Sequence, residues 1–141
     1  MTDNITSQSQ DFSQRTVIGL IETVTLENGK TYKAKIDTGA DSSSIDINIA
    51  KQFDDKQILA HKYIRSALGR HKRPVISLGI EIKGKKCIEE FTISDRKNLS
   101  FKILIGKDIM QKEEFIIDPL LDPSLEIKKK QDVQESEEVE K

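Results

Sequence analysis

The chain has one cysteine, Cys87, no tryptophan, three prolines and two histidines in 141 residues. A single thiol cannot form an intrachain disulfide or a cysteine zinc cluster, and it fits a reducing compartment. Aromatic residues are only 5% of the chain and are not interleaved with the basic ones, as a base-stacking platform would require. Neither charge sign dominates: 23 Lys plus Arg stand against 24 Asp plus Glu, a net charge of -1, which excludes a surface built wholly to hold phosphate backbones. No run approaches the roughly 18 apolar residues of a membrane span, and MTDNITSQSQDFSQ lacks the basic start and apolar core of a secretory signal. The expectation is a cytoplasmic protein with no nucleic-acid or membrane partner. His61 and His71 fall in no zinc-binding helix pattern and are expected to be exposed, so no metal or other cofactor is expected.

What is present is concentrated in the middle. Only seven apolar residues fall in 1–14 and 123–141, so these ends cannot bury enough surface to offset the entropy of ordering. The expected organisation is a disordered polar leader over 1–14, one domain over 15–122 and a charged flexible tail over 123–141. Within the domain the pattern is mostly strand. Residues 15–26 and Thr31–Ile36 are rich in β-branched side chains and flank Asn28-Gly29, where positive φ angles allow a tight hairpin. Ile76, Leu78, Ile80 and Ile82 alternate with polar or small residues. Lys83-Gly84 then turns the chain into a run through Ile88, Phe91 and Ile93. Residues 101–105 read as a buried strand, Lys107–Lys112 as one or two helical turns, and 115–117 as a final strand. Short strands, glycine-containing turns and almost no helix predict an all-β domain, a small barrel or sandwich. Cys87, in a strand beside lysines, reads as a small apolar filler.

The most informative stretch is AKIDTGADSSSI at 34–45. A strand delivers Asp37 to its end, Thr38 adds a hydroxyl, Gly39 lets a partner's backbone approach, and Ala40 is too small to block a cleft. An aspartate so placed is presented rather than buried. Two such carboxylates held together cannot both ionise, so they share one proton and can activate a water between them without a metal. The chain contains one Asp-Thr-Gly, so a pair requires two copies related by a twofold axis, each supplying Asp37.

IDTGADSSSI, followed by ILIGKDIM, resembles a retropepsin-type aspartic protease domain. More narrowly, RPVISLGIEIKGKKCIEEFTISDRKNLSFKILIGKDIM with FIIDP resembles a bacterial and archaeal family labelled ATP-dependent zinc protease, associated with ATP-grasp ligases of the glutamate-adding RimK type. The likeness covers roughly residues 16–120. It implies a small closed retropepsin-like barrel with one short helix near the C-terminal end, acting as a homodimer. It makes Asp37 the catalytic residue and Thr38 and Gly39 the residues of the active-site loop that support the dimer. Gly39, Ala40, Asp41 and Gly69 would contact substrate, while Gly106, Lys107 and Asp108 would support the loop from behind. Lys107 stands where both groups usually carry arginine; it keeps the charge for Asp41 but loses the two-pronged fork. Despite the zinc label, the sequence shows no set of zinc ligands.

Retropepsins close a hairpin over the substrate, and YIRSALGRHKR at 63–73 offers Gly69 for its turn and four basic residues, Arg65, Arg70, Lys72 and Arg73. A basic flap implies an acidic peptide or protein substrate, in keeping with a functional link to an ATP-grasp ligase. The expected function is an aspartic endopeptidase; the alternative is a non-catalytic peptide-binding module of the same fold, holding an extended peptide by strand addition. Ser42–44 read as a polar loop bonding its own backbone rather than as nucleophiles, since no histidine is tied to them.

Overall fold

The computed structural model describes residues 12–53, 58, 60–66 and 69–121. The expected leader, apart from 12–14, and the expected tail at 123–141 lie outside the described residues. The elements are β1 (Val17–Ile18), β2 (Ile21–Leu26), β3 (Thr31–Ile36), β4 (Ser44–Asp46), α1 (Ile47–Ala50), β5 (Ala60–Ser66), β6 (Gly69–Ile82), β7 (Lys85–Ser94), β8 (Ile103–Ile105), α2 (Lys107–Lys112) and β9 (Ile116–Ile117), with a 3-10 turn at Lys51–Phe53. Strands β2-β3-β8-β4-β7-β6 lie side by side, and β6 pairs back onto β2 through Val24↔Ile82 and Leu26↔Ile80. The sheet is therefore a closed ring, with β5 paired to β6 outside it and β1 paired in parallel with β9.

Period-2 patterning sets which side chains fill the ring. Ile76, Leu78, Ile80 and Ile82 are all buried, as their alternation predicts, and they meet Val24, Leu26, Ala34, Ile45, Phe91, Ile103 and Ile105 in one core. The expectation for β7 fails at one position. Ile88 is 68% exposed while Phe91 is fully buried. Positions 88 and 91 have opposite parity, so one strand cannot turn both inward. The register Ile80↔Cys87 and Leu78↔Glu89 sends odd-numbered residues in, and Cys87 and Glu89 take the inward positions.

The two hairpin turns also differ. At Lys83-Gly84 both residues have positive φ, 51° and 77°, the two-residue turn whose twist suits its flanking strands. At Asn28-Gly29 only Gly29 is positive, at 85°. The Gly29 N–H bonds Leu26 O and the Leu26 N–H bonds Lys30 O, so this is a longer turn closed by a glycine bulge. The expected strand over 15–26 breaks at Gly19, whose N–H donates to Glu22 Oε2 at 2.7 Å. A Cβ there would stand 2.5 Å from Leu121 O. Of the stretch at 42–44, expected as loop, Ser42 and Ser43 lie outside any strand, whereas Ser44 begins β4, which sits between β8 and β7. The segment after it adds α1, a one-turn helix capped by Asp46, whose side chain accepts from the Asn48 N–H.

Candidate active site

Asp37 follows directly on β3, which runs parallel to β8 with Ile36↔Ile105 in register. Its N–H continues the ladder to Ile105 O at 2.9 Å, so the backbone is held while the chain leaves the sheet. The Gly39 N–H donates to Asp37 Oδ1 at 2.9 Å and the Ala40 N–H to Asp37 O at 3.2 Å. This turn, closed by the aspartate's own carboxylate, fixes the orientation of the group. Asp37 is half-buried, and Thr38 and Gly39 are exposed beside it.

Behind the loop lies a bracket built from the segment after β8. A Cβ on Gly106 would stand 2.8 Å from Ala40 O and 2.9 Å from the Ser42 carbonyl carbon. These are backbone atoms that cannot swing aside, so only glycine fits. The Lys107 N–H donates to Ala40 O at 2.8 Å. Ser43, fully buried, accepts from the Gly106 N–H at 2.8 Å and donates its hydroxyl to Asp108 Oδ1 at 2.7 Å. Both Asp108 oxygens accept from the Ser43 N–H at 3.1 Å. Among the described residues no buried side-chain oxygen or nitrogen of this bracket lacks a partner, as buried polar groups require. Sequence reading assigned Ser43 no role beyond its own loop; its contacts lie 63 and 65 residues away, and nothing local announces them.

Lys107 reaches Asp41 Oδ1 at 2.8 Å, with the Asp41 side chain 89% exposed. The hydrogen bond and charge of Lys107 hold the Asp41 carboxyl below the usual aspartate range. An exposed single-contact pair of this kind adds little stability.

A cavity of about 550 Å³ opens on the loop at Gly39–Ser42. Its opposite wall is the hairpin of β5 and β6, whose pairing Ser66↔Gly69 puts Gly69 at the turn with φ 111°. Gly69 does not itself line the cavity, whereas Tyr63, Ile64, Arg65, Arg70 and Arg73 do. Arg70 stacks on Tyr63 with its guanidinium 4.3 Å from the ring centre. The expected histidine positions, 61 and 71, lie exposed on this hairpin. A fourth arginine, Arg96, comes from the turn after β7 and was not anticipated. It is fixed by Phe101 O at 2.9 Å and Ser44 Oγ at 3.1 Å, while its N–H donates to Asp46 Oδ1 at 2.6 Å. Burial and the neighbouring Arg73 lower its affinity for its proton, and the charges of Asp46 and Asp37 act the other way; the guanidinium stays charged. Four arginines against the single acid Asp41 make the lining strongly positive.

The family model described as retropepsin-like aspartic endopeptidase RimB matches residues 48–131. That span includes the basic hairpin and Gly106, Lys107 and Asp108, but begins beyond Asp37. No curated protein matches the chain. Among solved structures, a Legionella pneumophila protein of unknown function, Lpg0085, is 22% identical with a TM-score of 0.55, over 75% of this chain and 95% of its own. The EIAV protease complexed with the inhibitor HBY-793 is 18% identical with a TM-score of 0.54, over 70% and 90%. The simian foamy virus (mac) protease is 18% identical with a TM-score of 0.50, over 64% and 91%. At these identities the likeness is one of fold.

Proposed function

We propose that this chain, which belongs to the RimB-like family of retropepsin-like aspartic endopeptidases, hydrolyses peptide bonds with Asp37 as its catalytic residue. The observation that carries the reading is the presentation of Asp37 at the end of β3, its Oδ1 held by the Gly39 N–H, on a loop braced by Gly106. One carboxylate per chain is half of the required machinery. Two copies of the chain, meeting at Thr38 and Gly39, would bring the two Asp37 groups together with one shared proton.

In that dyad the ionised carboxylate takes a proton from water while the protonated one hydrogen-bonds the scissile carbonyl oxygen. The hydroxide oxygen bonds to the carbonyl carbon, and the resulting tetrahedral intermediate collapses with cleavage of the C–N bond. The leaving amine receives its proton from the dyad. Ala40 and Asp41 would line the adjoining subsite, and the β5–β6 hairpin would close over the peptide. The arginines at 65, 70, 73 and 96 favour an acidic peptide or protein segment, which suits a link to an ATP-grasp ligase that adds glutamate. Among the described residues no helix is long and apolar enough to cross a membrane, and the free thiol of Cys87 suits the reducing cytoplasm.

Mass-spectrometric analysis of a diverse peptide mixture tests this, at high protein concentration across about pH 4 to 8. Wild type is expected to cut, and Asp37→Asn to lose about 10²–10⁴-fold of the rate. Cuts should cluster near acidic residues, and Arg65→Glu with Arg70→Glu should weaken that preference by about tenfold or more. Absence of Asp37-dependent cuts from folded, dimeric protein would overturn the reading in favour of a peptide-binding module.

A further inference from the structure

At the far end of α2 from the aspartate loop, three side chains the proposed chemistry does not use come together. Cys87 and Glu89 are the inward residues of β7, and Glu113 follows α2 directly. One ligating atom from each, a sulfur and two carboxylate oxygens, lies within 4.8 Å of the others. Glu89 is 1% exposed, and its Oε1 has no hydrogen-bond partner. A buried carboxylate oxygen without a donor is costly, and native interiors seldom leave one so.

Two lysines already attend the outer oxygens of this cluster. Lys112 Nζ lies 3.5 Å from Glu89 Oε2 and donates to Ile88 O at 2.6 Å. Lys85 Nζ lies 3.2 Å from Glu113 Oε1 and donates to Glu113 O at 3.1 Å. They steady the two carboxylates but leave Glu89 Oε1 without a hydrogen-bond partner. The lysines act as partners that orient ligands, as surrounding hydrogen-bonding groups commonly do at metal sites.

We propose that Cys87, Glu89 and Glu113 form a binding site for a divalent metal ion of the zinc class, separate from Asp37. A thiolate with two carboxylates suits a borderline-soft ion that accepts sulfur and oxygen in tetrahedral geometry, with water in the fourth position. Calcium and magnesium take oxygen donors and have no use for Cys87. The ion satisfies Glu89 Oε1, and because the ligands must be deprotonated, binding releases protons. It ties β7 to the C-terminal end of α2, whose other end carries Lys107 and Asp108 behind the aspartate loop.

Titration of the full chain, without an affinity tag and stripped of metal, tests the site with cobalt(II) and zinc. Cobalt is expected to give an intense thiolate-to-metal absorption at one equivalent, displaced by zinc, and zinc is expected to raise the unfolding midpoint. Cys87→Ser should abolish that absorption. Glu89→Gln, or Glu113→Gln should the first not fold, should weaken zinc binding by about tenfold or more. Asp37→Asn should bind metal as wild type does, so the proposed site and the proposed protease activity fail separately. Lack of the thiolate absorption in wild type, or zinc affinity unchanged in Cys87→Ser and Glu89→Gln, would overturn the assignment.

Discussion

The six-residue helix α2 has a carboxylate cluster at each end, and the two are built on opposite terms. At its start Asp108 accepts from the Ser43 N–H, the Ser43 hydroxyl and the Ile109 N–H. At its end Glu89, more deeply buried than the half-buried Asp108, lacks a donor for one oxygen. The two ends differ both in burial and in the supply of backbone and hydroxyl donors, and the more deeply buried carboxylate is the one short of a donor. The first cluster is a finished brace, which frees Asp37 to stand at the surface. The second is an unfinished one that calls for a proton or a cation.

Three experiments would break or sharpen that contrast. The largest effect is expected from Ser43→Ala, which removes the acceptor of the buried Gly106 N–H and a donor to Asp108. It should cost about 1–3 kcal/mol in urea unfolding, with a further loss of any Asp37-dependent activity; an unchanged midpoint would show that the brace is not structural.

A smaller effect should come from the second cluster, seen as a pH dependence in metal-free protein. Burial, and then hydrogen bonding with Glu113, pushes Glu89 up to about 7, while the same bond holds Glu113 below the ordinary glutamate range. Above the unfolded glutamate value of about 4.5 the folded pair therefore binds more protons than the unfolded chain, and below it fewer. Stability from the pair peaks near that value. It falls as pH rises toward about 7, where Glu89 ionises, and also falls as pH drops through the lowered value of Glu113. Glu89→Gln should flatten the alkaline side of this curve in urea midpoints, leaving the acid side in place. A curve identical to wild type would remove Glu89 from the account.

The smallest effect belongs to Lys107→Ala. The pair with Asp41 is exposed, present above the lowered Asp41 value and lost as pH falls through it. Its removal should leave the unfolding midpoint unchanged at low and high salt alike. A salt-sensitive loss would mean that Asp41 is braced as firmly as Asp108.

Much of the fold was legible because its signals are local. Alternation from Ile76 to Ile82 marks the inward face of β6, glycine marks both hairpin turns, and the strand before Asp37 marks where the aspartate is presented. The basic hairpin at 63–73 was legible for the same reason. The β7 pattern misled at Ile88, because hydrophobicity does not reveal parity when a strand offers apolar residues to both faces. The entry of Ser44 into the sheet was hidden too, since a run of serines carries no strand signal and its neighbours β7 and β8 come from later in the chain.

By itself the sequence determined the strand-rich class, the turns, the single Asp-Thr-Gly and the concentration of arginines near the hairpin, since each depends on residues adjacent along the chain. Only the tertiary structure decided that Ser43 joins Gly106 to Asp108, that Arg96 completes the basic wall, and that Cys87 and Glu89 meet Glu113. Those contacts span 63 and 65 residues for Ser43 and 52 for Arg96 with Ser44. Closing the ring of strands is what brings them within reach, and no pattern in a single stretch of chain encodes which distant partner will arrive.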